Sequence, residues 1–289
     1  MSFLRKFRAC TVLVCLTISA FAVHAAPASY DAIYVFGDSY CDVGNDYIAT
    51  GGAEPLSPPY YNGRFSNGPI WIEHVAGGMH LPMLPALAGG TDYAFGGAFA
   101  TATVDGIPSV TDQVGLYLSE HKGKADPNAL YVIEGGGNDI LDATGGSADA
   151  LGFKIAAALA GSELLLRQAG AKHFLIPNLF NVGVIPAGQA NATFDLAAVV
   201  AANKYLNELL ALEDWLEGIR IIRLDVFSLI QTLETDPTHY GFTNITTPCL
   251  TTTVCSDPDH TFFWDIHHPS EFGQDLFATS AEVVLAQQK

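Results

Sequence analysis

The chain is 289 residues long and carries 30 acidic against 13 basic side chains, a formal charge of −17. That balance repels nucleic acid and anionic membrane surfaces and argues against either as a partner. The length suits one α/β domain with a full core, and no linker, internal repeat or low-complexity tract interrupts it.

The N-terminus opens on Arg5, Lys6 and Arg8, runs apolar from 9 to 23, and then offers Val23-His24-Ala25-Ala26-Pro27 for cleavage. This is the pattern of a secretory signal peptide, too short for a membrane span. Residues 1–26 are expected to be a leader and 27–289 a single exported domain, secreted or periplasmic, with no transmembrane segment after cleavage. Loss of the leader removes three basic residues and no acidic one, so the exported part is more acidic still.

A short apolar run at 32–36 reads as a buried strand. Gly37 breaks it, and Ser39 follows in the turn, where a rigid element exposes a hydroxyl as a hydrolase nucleophile requires. Further strands are expected at 92–95, 129–134, 173–177 and 220–225. Helices are expected at 69–76, 111–121, 148–169, 196–216, 226–235 and 271–288. The first begins with Pro69 and stops before Gly77-Gly78. Near-continuous apolar strands alternating with helices imply a parallel sheet between two helical layers. In such a sheet the functional crevice lies at the carboxyl ends of the strands. Ser39 follows the first strand there, Gly96-Gly97 the second, and Gly135-Gly136-Gly137-Asn138-Asp139 the third.

Near the C-terminus, Trp264-Asp265-Ile266-His267-His268-Pro269 supplies an acid and a base. Either histidine could reach the serine, and Ser270 is placed to cap the last helix. Asn138 has a side-chain amide to donate, although Asn-Asp at a strand end also makes an ordinary Asx-turn. Cys249 and Cys255 lie close together in a Thr-rich loop just upstream of Asp265, and an exported chain is expected to join them in a disulfide. Cys41 is then the odd cysteine, read as a small buried position.

Together these blocks resemble the GDSL esterases and lipases, also called SGNH hydrolases, over most of the chain from about Ala32. The first block matches from Gly37 to Asn45, with Asp38, Asp42 and Asn45 as supports of the turn. Tyr40 stands where the family has leucine, and Arg64 in Asn62-Gly63-Arg64-Phe65 resembles a familial structural tie. The longer second segment is similar to that of bacterial secreted esterases, thermolabile haemolysins and plant lipases. The resemblance implies a flavodoxin-like three-layer α/β/α sandwich with a five-stranded parallel sheet in the order 2-1-3-4-5. It implies Ser39 as nucleophile, His268 as base and Asp265 as its orienter. The N–H groups of Ser39 and Gly96, with Asn138, would form the oxyanion hole. Gly97 is hardly separable from Gly96 by sequence. The reaction implied is cleavage of an acyl ester through an acyl-enzyme, on a small-molecule or lipid ester, without metal or organic cofactor. Phospholipase, lysophospholipase or lipid acyltransferase action is the variant within the family.

Rival readings are weaker. The α/β-hydrolase nucleophile motif Gly-x-Ser-x-Gly fails at Cys41. Asp257, Asp259, His260, Asp265, His267 and His268 are dense enough to suggest a metallohydrolase, but lack His-Glu-x-x-His or cysteine-rich spacing. A binding module without catalysis would be expected to lack part of the motif set, and none is missing.

Overall fold

The computed structural model describes residues 30–213 and 215–287, and the expected leader lies outside them. The sheet consists of β1 (Ile33–Phe36), β2 (Leu130–Ile133), β3 (His173–Pro177) and β4 (Arg220–Leu224), all parallel and in that order. The register pairs Val35 with Val132 and Leu130 with His173.

The alternation of each strand builds two cores. Val35, Val132, Leu175 and Ile222 face one side of the sheet. Phe36, Tyr131, Ile133, Phe174 and Ile176 face the other. Helices α2 (Trp71–Gly78), α7 (Val226–Thr235) and α8 (Glu271–Ala286) cover the first side. Helices α3 (Val110–Glu120), α5 (Ala148–Ala169) and α6 (Ala192–Ala211) cover the second. This is the three-layer α/β/α sandwich. Strands buried on both faces need apolar side chains at nearly every position, which is why they read as unbroken runs.

The expected fifth strand is reduced to a bridge between Val35 and Asp92. Its backbone still runs along the free edge of β1: Tyr93 N–H donates to Val35 O (2.8 Å) and Phe95 N–H to Gly37 O (3.2 Å). The order 2-1-3-4-5 is therefore kept, with four strands and one extended segment. The ladder stops because the Gly37 N–H, which would continue it, donates to Gln113 Oε1 instead, and on the far edge of the segment side chains bind the backbone. Asn45 Nδ2 donates to the carbonyls of Asp92 and Ala94, both at 2.8 Å, and Asp92 Oδ1 accepts the Ala94 N–H.

Helix ends follow local chemistry. The Ser147 hydroxyl caps α5, and Gly170, at φ 118°, terminates it. Ser270 Oγ accepts the Gly273 N–H at the start of α8 and donates to Thr261 O at 2.7 Å. Such a cap contributes about 1 kcal/mol. Helix α2 runs on through Gly77 and Gly78, beyond the expected stop, and α6 begins and ends earlier than the expected 196–216. Two one-turn helices, α1 (Asn45–Ala49) and α4 (Gly137–Leu141), were not expected; each starts directly after a sheet-edge turn. Among the described residues no helix is long and apolar enough to cross a membrane.

Cys249 and Cys255 form a disulfide, with Cα atoms 4.7 Å apart. Their loop is laced to the segment before Asp265: Cys249 N–H donates to Phe263 O (2.9 Å) and Leu250 N–H to Trp264 O (2.6 Å). Cys41 is fully buried beneath the first turn and free. Burial, then the nearby Glu134, holds its thiol pKa well above the ordinary value. Peptide mapping without reduction is expected to recover Cys249 and Cys255 in one linked fragment, with Cys41 alkylated only after denaturation. A bridge involving Cys41 would contradict the arrangement.

Candidate active site

The turn after β1 carries Ser39 and is fixed from several sides. Gly37 N–H donates to Gln113 Oε1 and Gln113 Nε2 returns a bond to Gly37 O, at 2.8 and 2.9 Å. A Cβ on Gly37 would lie 2.9 Å from Glu134 Oε2, so the position admits only glycine without displacement. The Asp38 carbonyl accepts the N–H groups of Cys41 and Asp42, and its carboxylate accepts that of Tyr40 at 3.0 Å. Asp42 accepts the N–H groups of Gly44, Asn45, Asp46 and Gly96. The Ser39 N–H alone is left without a partner among the described residues.

The segment ahead of α8 closes on this turn. Asp265 Oδ1 accepts the N–H groups of His267 and His268, both at 2.7 Å, and Trp264 N–H donates to His268 O at 2.8 Å. This tight turn aims the imidazole of His268 at both partners. Its Nδ1 lies 2.8 Å from Asp265 Oδ2, and its Nε2 lies 2.8 Å from Ser39 Oγ. The ring sits between Phe65 and Tyr40, at centroid distances of 5.1 and 5.8 Å. All three groups are largely buried. Burial acts to raise the Asp265 pKa, but His268, the Tyr60 hydroxyl and the backbone N–H groups together hold it below the ordinary carboxylate range.

Two tyrosines make bonds to the site that the sequence does not mark. Tyr60 O–H donates to Asp265 Oδ2 at 2.6 Å. It lies in a turn-rich loop, Pro58-Pro59-Tyr60-Tyr61-Asn62, with no periodicity to mark it. Tyr40, the departure from the family block, donates to His267 O at 2.7 Å and so ties the nucleophile turn to the histidine turn. Arg64 forms a two-pronged pair with Glu73, whose carboxylate also accepts the Ile70 N–H at the start of α2. It is a structural tie, remote from the reacting atoms.

Gly96 does not take the position expected of it. Its N–H donates to Asp42 Oδ2 at 3.0 Å, and a Cβ there would meet Asp46 and Phe65 at 2.4–2.5 Å. The residue serves packing and cannot offer its N–H to a substrate. Gly97, at φ 72°, lines the cavity beside Ser39 and has no backbone N–H partner among the described residues. Asn138 lines the same cavity. Its Nδ2 donates to Ala98 O at 2.9 Å and approaches Asp38 Oδ2 only at 3.5 Å, so one amide hydrogen is nearly uncommitted. Its side chain reaches to another loop rather than folding back in an Asx-turn. Asp139 accepts the N–H groups of Ala100 and Thr101 and fixes that loop.

His267 lines the cavity but makes no side-chain bond to Ser39. Burial, then the neighbouring His268, lowers its pKa. The dense run of possible metal ligands divides in two. Asp257 and His260 pair with each other on the surface at 2.7 Å. Asp265, His267 and His268 form the one cluster of metal-capable donors among the described residues, and the facing atoms of Asp265 and His268 are engaged with each other.

The cavity beside Ser39 has a volume of about 250 Å³ and is walled largely by Tyr40, Leu179, Phe180, Val182, Val226 and Phe277. A serine, a histidine and an aspartate in series at the carboxyl edge of a parallel sheet, opening on an apolar cavity, define a hydrolase-type site. The profile described as GDSL-like Lipase/Acylhydrolase matches residues 33–280, and the chain belongs to that family.

The chain is similar to the thermolabile hemolysin of Vibrio parahaemolyticus, at 26% identity over 267 residues, covering 84% of this chain and 61% of the relative. It is 29% identical to a phosphatidylcholine-sterol acyltransferase of Aeromonas hydrophila, covering 85% of this chain and 72% of that one. With a GDSL esterase/lipase of Arabidopsis thaliana it shares 28% identity, covering 90% and 92%. The first relatives are longer proteins, and the chain spans only part of their length. The solved structure of a lipolytic G-D-S-L family member from Veillonella parvula shares the fold, with a TM-score of 0.51 at 18% identity, covering 88% of this chain and 97% of that one.

Tyr60→Phe keeps the ring and removes one donor from Asp265. The carboxyl pKa is expected to rise while staying below the ordinary range, because His268 and two backbone N–H groups remain. Carboxyl carbon NMR titration reads it, and an unchanged titration would mean the Tyr60 bond contributes nothing.

Proposed function

We propose that the protein is a serine esterase that cleaves acyl esters through an acyl-enzyme. The observation that carries this reading is the 2.8 Å contact of Ser39 Oγ with His268 Nε2, backed by Asp265 on the other ring nitrogen. His268 takes the hydroxyl proton as Ser39 Oγ attacks the ester carbonyl carbon. The oxyanion that forms meets the unpartnered N–H groups of Ser39 and Gly97 and the Asn138 amide, whose second hydrogen is held only by a long bond to Asp38 Oδ2 at 3.5 Å. Collapse expels the alcohol, which receives its proton from His268. Water, deprotonated by the same imidazole, then releases the acid. Asp265 keeps the ring in the tautomer that presents a bare Nε2 to the serine and stabilises the imidazolium. His267 is assigned no proton transfer. Family membership supports the ester chemistry, and the esterase, lipase and acyltransferase names of its relatives agree with it. The same acyl-enzyme would pass its acyl group to an alcohol other than water wherever the cavity admits one.

An organophosphonate is expected to label Ser39, and Ser39→Ala to abolish the labelling. His268→Ala should lose nearly as much turnover of a p-nitrophenyl ester as Ser39→Ala, because the two act as a unit. His267→Ala should be far milder. Asn138→Ala should reduce turnover by roughly 10²–10³, the usual effect of losing one oxyanion donor. A label on Cys41, or a lethal His267→Ala, would overturn the assignment.

The reading also takes residues 1–26 as an export leader and 27–289 as one secreted or periplasmic domain. The basic start, the apolar run and the small residues before Pro27 support it. N-terminal sequencing of protein recovered outside the cytoplasm should begin at Ala26 or Pro27. A retained Met1 would refute the leader.

A further inference from the structure

Proton transfer leaves His267 without a task, yet the fold fixes it firmly at the cavity. Its backbone N–H donates to Asp265 Oδ1 and its carbonyl accepts the Tyr40 hydroxyl, both at 2.7 Å. Among the described residues these backbone bonds are its only hydrogen bonds, and both ring nitrogens are open. The ring lies 5.8 Å from that of His268, centroid to centroid, and lines the same cavity. His267 is half-buried and the adjoining Ile266 is 50% exposed, so this turn lies where the cavity meets solvent. Burial, then His268, lowers the His267 pKa, and the ring is neutral at pH 7. A neutral imidazole offers one donor and one acceptor.

The direction of the chemistry determines what this ring meets. The developing oxyanion turns towards the N–H groups of Ser39 and Gly97 and the Asn138 amide. The leaving oxygen must face His268 Nε2, which protonates it. The alcohol part of the ester therefore departs on the histidine side, and the acyl part is left to the apolar wall of Leu179, Phe180, Val182 and Val226. His268 is flanked by the rings of Phe65 and Tyr40, and the Tyr40 hydroxyl is already engaged. The other polar side chains of the cavity, Asp38, Glu134, Asn138 and Asn178, belong to the turns that follow β1, β2 and β3. Beside the leaving oxygen, His267 is thus the side chain with hydrogen-bonding atoms to offer. A plain alkyl alcohol would desolvate it without return, whereas a hydroxyl would replace the lost water.

Resting on the esterase reading above, we propose that His267 is the specificity-determining residue for the alcohol part of the substrate. Its imidazole hydrogen-bonds a free hydroxyl on the carbon next to the one that bears the ester oxygen, so monoesters of vicinal diols are preferred. That hydroxyl is not consumed. The acyl C–O bond breaks as before, and the diol leaves with the proton from His268.

The test compares 2-hydroxyethyl butyrate with propyl butyrate, which carries a methyl in place of the hydroxyl. The wild type should favour the hydroxyethyl ester roughly fivefold in kcat/KM, chiefly through KM, the effect of one neutral hydrogen bond. His267→Phe keeps a ring, removes both nitrogens and should abolish most of that preference. His267→Gln restores a donor and an acceptor and should recover part of it. Each ratio is internal to one protein, so a smaller active fraction does not move it. A wild-type ratio at or below one, or an unchanged ratio in folded His267→Phe, overturns the proposal. If that variant does not fold, acyl transfer in the wild type decides. With p-nitrophenyl butyrate as donor, ethylene glycol should capture the butyryl group several-fold more readily than 1-propanol, and equal capture or none overturns the proposal. Cleavage of p-nitrophenyl butyrate with neither alkyl ester cleaved would sink only this inference. Cleavage of none of the three would sink the esterase reading and this inference with it.

Discussion

Four backbone N–H groups, from Gly44, Asn45, Asp46 and Gly96, converge on the wholly buried carboxyl group of Asp42. Charge-assisted bonds of this kind are about twice as strong as neutral ones. Three of the donors continue the nucleophile turn into α1, and the fourth comes from the loop beyond the edge segment. One side chain thus sets the distance between the Ser39 turn and the Gly96-Gly97 loop. Asn45 repeats the device beside it, bonding the Asp92 and Ala94 carbonyls and the Leu87 N–H. The other N–H groups of the turn are taken by Gln113, Glu134, Asp38, Asp92 and Asp42, which leaves the Ser39 N–H without a partner among the described residues. The uncommitted donors of the site exist because their neighbours are saturated.

The histidine side is held by different means. Its turn is closed by Asp265, roped to the nucleophile turn by Tyr40, and tied through Ser66 Oγ to Pro269 O at 2.9 Å. The disulfide loop is laced along Phe263 and Trp264 behind it. A catalytic base must be placed within a few tenths of an ångström of its partner. Several weak ties from separate elements achieve that on a segment that has no regular structure of its own.

What was legible in the sequence, and what was not, divides by range of interaction. Helix α5 is read correctly from 148 to 169 because its cap, Ser147, and its stop, Gly170, are local. The parallel sheet is legible because burial on both faces demands unbroken apolar runs. The edge strand is shorter than expected because the Gly37 N–H that would extend its ladder goes to Gln113, 76 positions away. Gly96 and Gly97 are indistinguishable in sequence for the same reason: which N–H is free depends on Asp42, 54 positions upstream. The contact of Tyr60 with Asp265 spans 205 positions and leaves no local mark.

The serine and histidine that touch at 2.8 Å are 229 positions apart, one just beyond the first strand and the other just ahead of the last helix. Synthesis at ribosomal speeds of about 5–20 residues per second puts roughly 10–45 seconds between their emergence. Through that interval the serine has no base, and α8 is not yet there to dock on α2. Reactivity in this architecture is withheld by the order of assembly. An incomplete chain carries a harmless alcohol, and it becomes a reactive site only when its final helix packs.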